Sequence, residues 1–161
     1  TRAMHLEFRE TDGATRVQVD GHDVTEAIRT PEVTRLIYKL DQNPAVRAHL
    51  VELQRAFGQR GPTVAEGRDM GSVVFPNAAC KIYLDASLDE RTRRRARDLE
   101  ARGVEVDFEA LRRDLHERDE QSRNRKVSPL RRAGDAVLVD TTQMPQQQVV
   151  EKVVELARER L

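Results

Sequence analysis

The chain of 161 residues can bury a real core, and its 28 basic and 28 acidic residues balance to a formal net charge of zero. That balance exerts no global pull toward nucleic acid or a membrane, so any anion site must come from local clustering. Lysine is confined to Lys39, Lys81, Lys126 and Lys152, Cys80 stands alone, and no apolar run approaches the length of a membrane span. Arginine is therefore the main cation, with a planar fork suited to phosphate oxygens, and an intrachain disulfide is excluded. A reduced, cytoplasmic protein is expected. The first residue, Thr1, is not methionine, which predicts an upstream segment.

In chain order, MHLEFRE (4–10) and TRVQVDG (15–21) alternate apolar and polar residues and predict a small antiparallel hairpin, with HDV (22–24) as a third strand. PEVTRLIYKL (31–40) has helical spacing at Val33, Leu36, Ile37 and Leu40. Asn43-Pro44 reads as a cap plus proline at the first helical position, opening a helix to about Phe57 with Val46, Leu50, Leu53 and Phe57 on one face. TVAEG (63–67) and KIYLD (81–85) read as short buried strands. Ser87 and Glu90 fit a capping box for a helix to about Arg102, and Asp107 caps a further helix over 108–124. DAVLVD (135–140) is a third buried strand, and a helix fills 146–160. Helices alternating with apolar strands predict an α/β fold with a parallel sheet covered by helices, behind a small β-rich appendage.

Three positive clusters stand out. Arg68-Asp69 follows the TVAEG segment, where Gly67 and Gly71 leave room for a ligand, and strand tips are where open α/β sheets bind them. A tight turn with an internal Arg–Asp pair is the equally weighted alternative. In HERDEQSRNR (116–125), helical spacing puts Arg118, Ser122 and Arg125 on one stripe, able to meet a phosphate or a sugar. Read alone, the interleaved Glu117, Asp119 and Glu120 favour a solvated, salt-bridged face. Arg91, Arg94 and Arg95 share a helix side, again best read alone as solvated. The four histidines lack metal-ligand spacing, no GxxxxGK[ST] loop occurs, and no protein-held metal is expected. Few aromatic residues and zero net charge argue against a nucleic-acid partner.

AEGRDMGSVVFPNAACKIYLDASLDERTRRR, followed by ERDEQSRNRKVSPLRRAGDAVLVDTT, closely resembles bacterial cytidylate kinase. VDGHDVTEAIRTPEV and NPAVRAHLVELQRAF resemble the nucleotide-binding insert of that family and the helix after it, so the likeness covers essentially the whole chain in collinear order. The resemblance implies a P-loop nucleoside monophosphate kinase fold: a core parallel sheet flanked by helices, a small antiparallel β insert and a helical lid. Residues 1–43 would hold part of the core and the insert, and 44–161 the core with a lid near 112–126. It implies transfer of the ATP γ-phosphoryl group to CMP or dCMP with Mg²⁺, by a monomer that binds neither nucleic acid nor membrane. A truncated, non-catalytic nucleotide-binding relative is the alternative.

By the same resemblance, Asp69 would face the cytosine and Arg68 the phosphate or base, with Glu66 as the acid at the strand tip. Arg47 would bind phosphate, Arg118 and Arg125 would act on the transferring group, Arg29 would belong to the insert, and Arg94 would lie on the ATP side. Ser122 stands where relatives often have an aspartate against the ribose, and Tyr38 where a serine often lines the base pocket. The family's first strand and P-loop would precede Thr1, so residues 1–161 alone are expected to fold poorly and to be inactive.

Overall fold

The structure, a computed structural model, describes residues 5–11, 14–30, 33, 36–37, 40 and 43–160. The chain divides into two compact units, Thr1–Arg47 and Ala48–Leu161. Much of the helix expected over 31–40, including Tyr38, lies outside the described residues.

In the first unit, β1 (Leu6–Thr11), β2 (Ala14–Val19) and β3 (His22–Asp23) form an antiparallel sheet in that order. Leu6 pairs with Val19, Phe8 with Val17, and Val19 with His22. The β2–β3 turn needs two residues at positive φ, which Asp20 (49°) and Gly21 (82°) supply. Asp20 also accepts from the His5 amide at 2.8 Å through Oδ1, tying the turn to the start of β1. Past β3, Asp23 accepts from the Thr25 amide at 2.9 Å, and the buried Thr25 hydroxyl accepts from the Val17 amide at 2.9 Å. A 3-10 turn follows at Ala27–Arg29.

Helix α1 (Pro44–Gly58) begins as expected: Asn43 Oδ1 accepts from the amides of Ala45 (3.0 Å) and Val46 (3.3 Å), and Pro44 has no amide to satisfy. Its buried side differs from the expected one. Leu50, Leu53 and Phe57 are more than a third exposed, and Val51 is buried instead. Gly58 approaches Phe75 so closely that a Cβ would stand 2.7 Å from the ring, and Arg55 donates to the carbonyls of Val74 (2.8 Å) and Val73 (2.7 Å). A glycine and an arginine make these contacts, so an apolar stripe points to the wrong face.

In the second unit, β4 (Ile82–Asp85) pairs in parallel with β5 (Val137–Asp140), Ile82 opposite Val137 and Asp85 opposite Asp140. The strand expected at TVAEG does not form: residues 62–66 carry no regular structure and Val64 is fully exposed. Strand geometry persists only where backbone groups find a ladder partner, and none is present for this segment among the described residues. Helices α2 (Leu88–Glu100) and α3 (Phe108–Arg123) pack together between the two strands in sequence, and α4 (Gln146–Arg158) closes the chain. Their caps follow the sequence. Ser87 Oγ accepts from the Glu90 amide at 3.3 Å, and Asp107 accepts from the Ala110 amide at 3.0 Å. Val51, Val74, Ala86, Ala96, Val139 and Leu156 are the buried apolar residues described. Cys80 is half-buried against α4, its thiol 3.8 Å from the Leu156 carbonyl. No helix among the described residues is long and apolar enough to cross a membrane.

Candidate active site

The segment Arg68–Phe75 is shaped by its own backbone. Residues Met70–Val74 form one π-helical turn, in which the Asp69 carbonyl accepts from the amides of Val73 (2.8 Å) and Val74 (3.2 Å), and Met70 accepts from Phe75 (2.7 Å). Val74 is 1% exposed and anchors the turn, while Arg55 holds its carbonyl from α1. Lys81, also buried, ties the same segment to β4: its ammonium donates to the Pro76 carbonyl and to Asp135 Oδ2, the latter at 2.6 Å. That ammonium holds the Asp135 carboxyl below its usual range. Asp69, 4% exposed, and the exposed Arg68 stand at the head of this braced turn.

Arg68 reaches α3. Its Nη1 meets Ser122 Oγ and lies 3.3 Å from the Arg118 carbonyl, while the buried Ser122 hydroxyl donates to that carbonyl at 2.7 Å. Two of the clusters singled out in the sequence, around Arg68 and around Arg118, therefore meet. Arg118 and Ser122 lie one turn apart, as their spacing requires.

Arg125 does not continue the stripe. The helix ends at Arg123, where Asn124 closes it by donating from its amide to Glu120 at 2.9 Å. Ser128 then adopts a φ of 51° ahead of Pro129, and the Leu130 amide returns to the Ser122 carbonyl at 2.8 Å. Proline cannot extend a helix, so the chain turns back, and Arg125 donates to the Ser128 carbonyl.

Arg94 projects from α2 into the turn after β5. It donates to Glu90 at 3.0 Å, to the Thr141 hydroxyl at 3.1 Å and carbonyl at 2.6 Å, and to the Met144 carbonyl at 3.4 Å. Hydrogen bonds from Arg93 and then Arg94 lower the Glu90 pKa. Thr141 in turn caps the β4 end, its amide (2.7 Å) and hydroxyl (2.9 Å) both donating to the Asp85 carbonyl. Asp140, beside Asp85, is lowered by hydrogen bonds from the Thr142 hydroxyl and amide. Glu66 is exposed. Arg29 and Arg47 belong to the first unit, where Arg29 pairs with Glu26 at 3.2 Å.

Sequence reasoning missed Arg55, Lys81 and the pairing of Arg91 with Asp119. No local signal announces these contacts, because each partner lies 5 to 54 residues away. Among the described residues no three acidic, histidine or cysteine side chains gather to hold a metal ion.

A family model described as cytidylate kinase matches residues 1–159. A cytidylate kinase of Klebsiella pneumoniae (strain 342) is 47% identical over 161 residues, spanning 99% of this chain and 71% of the relative. One from Carboxydothermus hydrogenoformans is 48% identical over 145 residues, 90% of this chain and 65% of the relative. One from Salmonella arizonae is 45% identical over 161 residues, with 99% and 71% covered.

Proposed function

The chain belongs to the cytidylate kinase family, and on that premise we propose which of its residues bind and phosphorylate CMP. It is a CMP kinase, a phosphotransferase, and similarity over nearly its whole length does not favour a non-catalytic relative. The phosphoryl donor in this reading is ATP with Mg²⁺, the acceptor CMP or dCMP, and the working unit a monomer.

Phosphoryl transfer asks a protein mainly for positioning and for cations where charge spreads over the phosphoryl oxygens. The observation that carries the residue assignment is the meeting of Arg68 with Ser122 and the Arg118 carbonyl. It supports a reading in which arginines from two separate elements serve one site. Arg68 takes the acceptor phosphate and Arg118 the transferring group, with Arg125 just past the end of α3. Within the first unit, Arg29 and Arg47 are candidate phosphate-binding arginines by the family resemblance; in the second, Glu66 supplies an acid beside the acceptor loop.

Asp69 reads the base. A carboxylate accepts from the exocyclic amine of cytosine, whereas uracil presents an oxygen there and would leave two acceptors facing each other. Ser122, buried on α3, offers a hydroxyl to the sugar. Arg94, with its guanidinium engaged by Glu90, Thr141 and Met144, serves the ATP side by holding the turn after β5. Calorimetry on the full-length protein tests the assignment. CMP is expected to bind more tightly than UMP or AMP, and equal affinity for AMP would overturn it.

A further inference from the structure

Residues 118–122 of α3 are held from two sides. Arg68 grips one, through Ser122 and the Arg118 carbonyl. On the other, Arg91 of α2 donates from Nε to the Ala86 carbonyl at 3.0 Å and from Nη1 to Asp119 Oδ2. Ala86 is buried and directly follows β4. One guanidinium thus joins the end of a strand to the neighbour of Arg118.

We propose that Arg91 and Asp119 are positioning residues for phosphoryl transfer, fixing the rotation of α3 so that Arg118 and Ser122 face the acceptor nucleotide. The proposal rests on the acceptor reading above. Successive helix residues point about 100° apart, so tethering Asp119 to the strand end sets the direction of Arg118 beside it and of Ser122 a turn later. The same two helices share a second pair, Asp89–Arg112 at 2.7 Å, which also joins α2 to α3 but without a hydrogen bond to a strand end among the described residues. Its side chains are 55% and 43% exposed, against 14% for Asp119 and 33% for Arg91. Both pairs hold helix to helix, and only Arg91 adds the carbonyl of Ala86. Arginine is required for this, since a lysine ammonium at the end of a flexible stem lacks the fork that reaches both partners in fixed geometry.

The test uses steady-state kinetics of the full-length enzyme, with Arg112→Ala as the control for a merely structural helix contact. Asp119→Ala should lower kcat/KM for CMP by on the order of ten- to a hundredfold, the scale of a small misplacement of a reacting group, and leave the KM for ATP unchanged. Arg91→Ala should do the same, and the double variant should be no worse than either single one, because the two act as a unit. Arg112→Ala should lower Tm but leave both constants within about twofold of wild type. If Asp119→Ala does not fold, Asp119→Asn, which keeps an oxygen acceptor without the charge, makes the same comparison. A change of less than about twofold for the Asp119 variant, or an equal kinetic loss in Arg112→Ala, overturns the proposal. If the wild-type enzyme turns over another nucleotide but not CMP, the acceptor reading falls. The Asp119 and Arg112 comparison on that nucleotide then still decides the positioning role.

Discussion

Replacing Arg68 by alanine separates a ligand contact from a fold contact. In the structure Arg68 is exposed, and its contacts include a close one to Ser122 and a long one, 3.3 Å, to the Arg118 carbonyl. Such an exposed side chain contributes about 1 kcal/mol to the fold, near the average net value of a hydrogen bond. In a chain of this size that moves Tm by roughly 2–4 °C. Against a phosphate the same guanidinium makes charge-assisted bonds worth about 1.5–3 kcal/mol. At about 1.4 kcal/mol per decade, Kd for CMP should rise roughly 10- to 150-fold. Cytidine lacks the phosphate, so its weaker binding should not change. Calorimetry with both ligands and a thermal melt of the same preparation measure the three quantities. Cytidine weakened as much as CMP would show that Arg68 only props the pocket, and a CMP change below about threefold would remove it from the site altogether.

Arg118→Ala should lower kcat by on the order of a hundredfold while CMP binding weakens much less, because the charge it meets grows in the transition state; rapid-quench kinetics with a parallel titration check this. Val74→Ala removes two buried methyl groups, at about 1.6 kcal/mol of transfer energy plus a cavity term, so unfolding in urea should show a loss of about 2–3 kcal/mol. Asp23 has its pKa lowered from 3.8 to about 2, first by the Thr25 hydroxyl, then by the Thr25 amide and Arg16. Its contribution to the first unit is therefore full above pH 3.8 and lost as pH falls through about 2, and exchange of the Thr25 amide should accelerate over that window.

Local chemistry made much of the fold legible. Asn43-Pro44, Ser87 with Glu90, and Asp107 each satisfy orphan backbone groups from neighbouring positions, so the sequence alone places those helix starts. TVAEG was misread because a strand is a property of two segments, and composition describes only one. The buried side of α1 was misread because Gly58 and Arg55, which make its contacts, carry no apolar signal. At the site, motif spacing brought Arg68, Asp69, Arg118 and Ser122 to attention. It overran at Arg125, where the turn before Pro129 ends helical geometry. Asp119 read as part of a salt-bridged face, and it is in an ion pair, but its partner is on another helix rather than its own.

The parallel pairing of β4 with β5 also governs how the second unit acquires its shape in time. Residues 86–136 separate the two strands and hold both α2 and α3. Strand alignment must therefore wait for a long span to close, whereas the two helices, joined only by residues 101–107, find each other through short-range encounters. Formation of the helical hairpin shortens the distance the strands must search. The Arg94 bonds to Thr141 and Met144, just past β5, can form only after the strands are in register. On refolding, helical signal should thus return ahead of enzymatic turnover, with the interval set by the slow zippering of β5 onto β4.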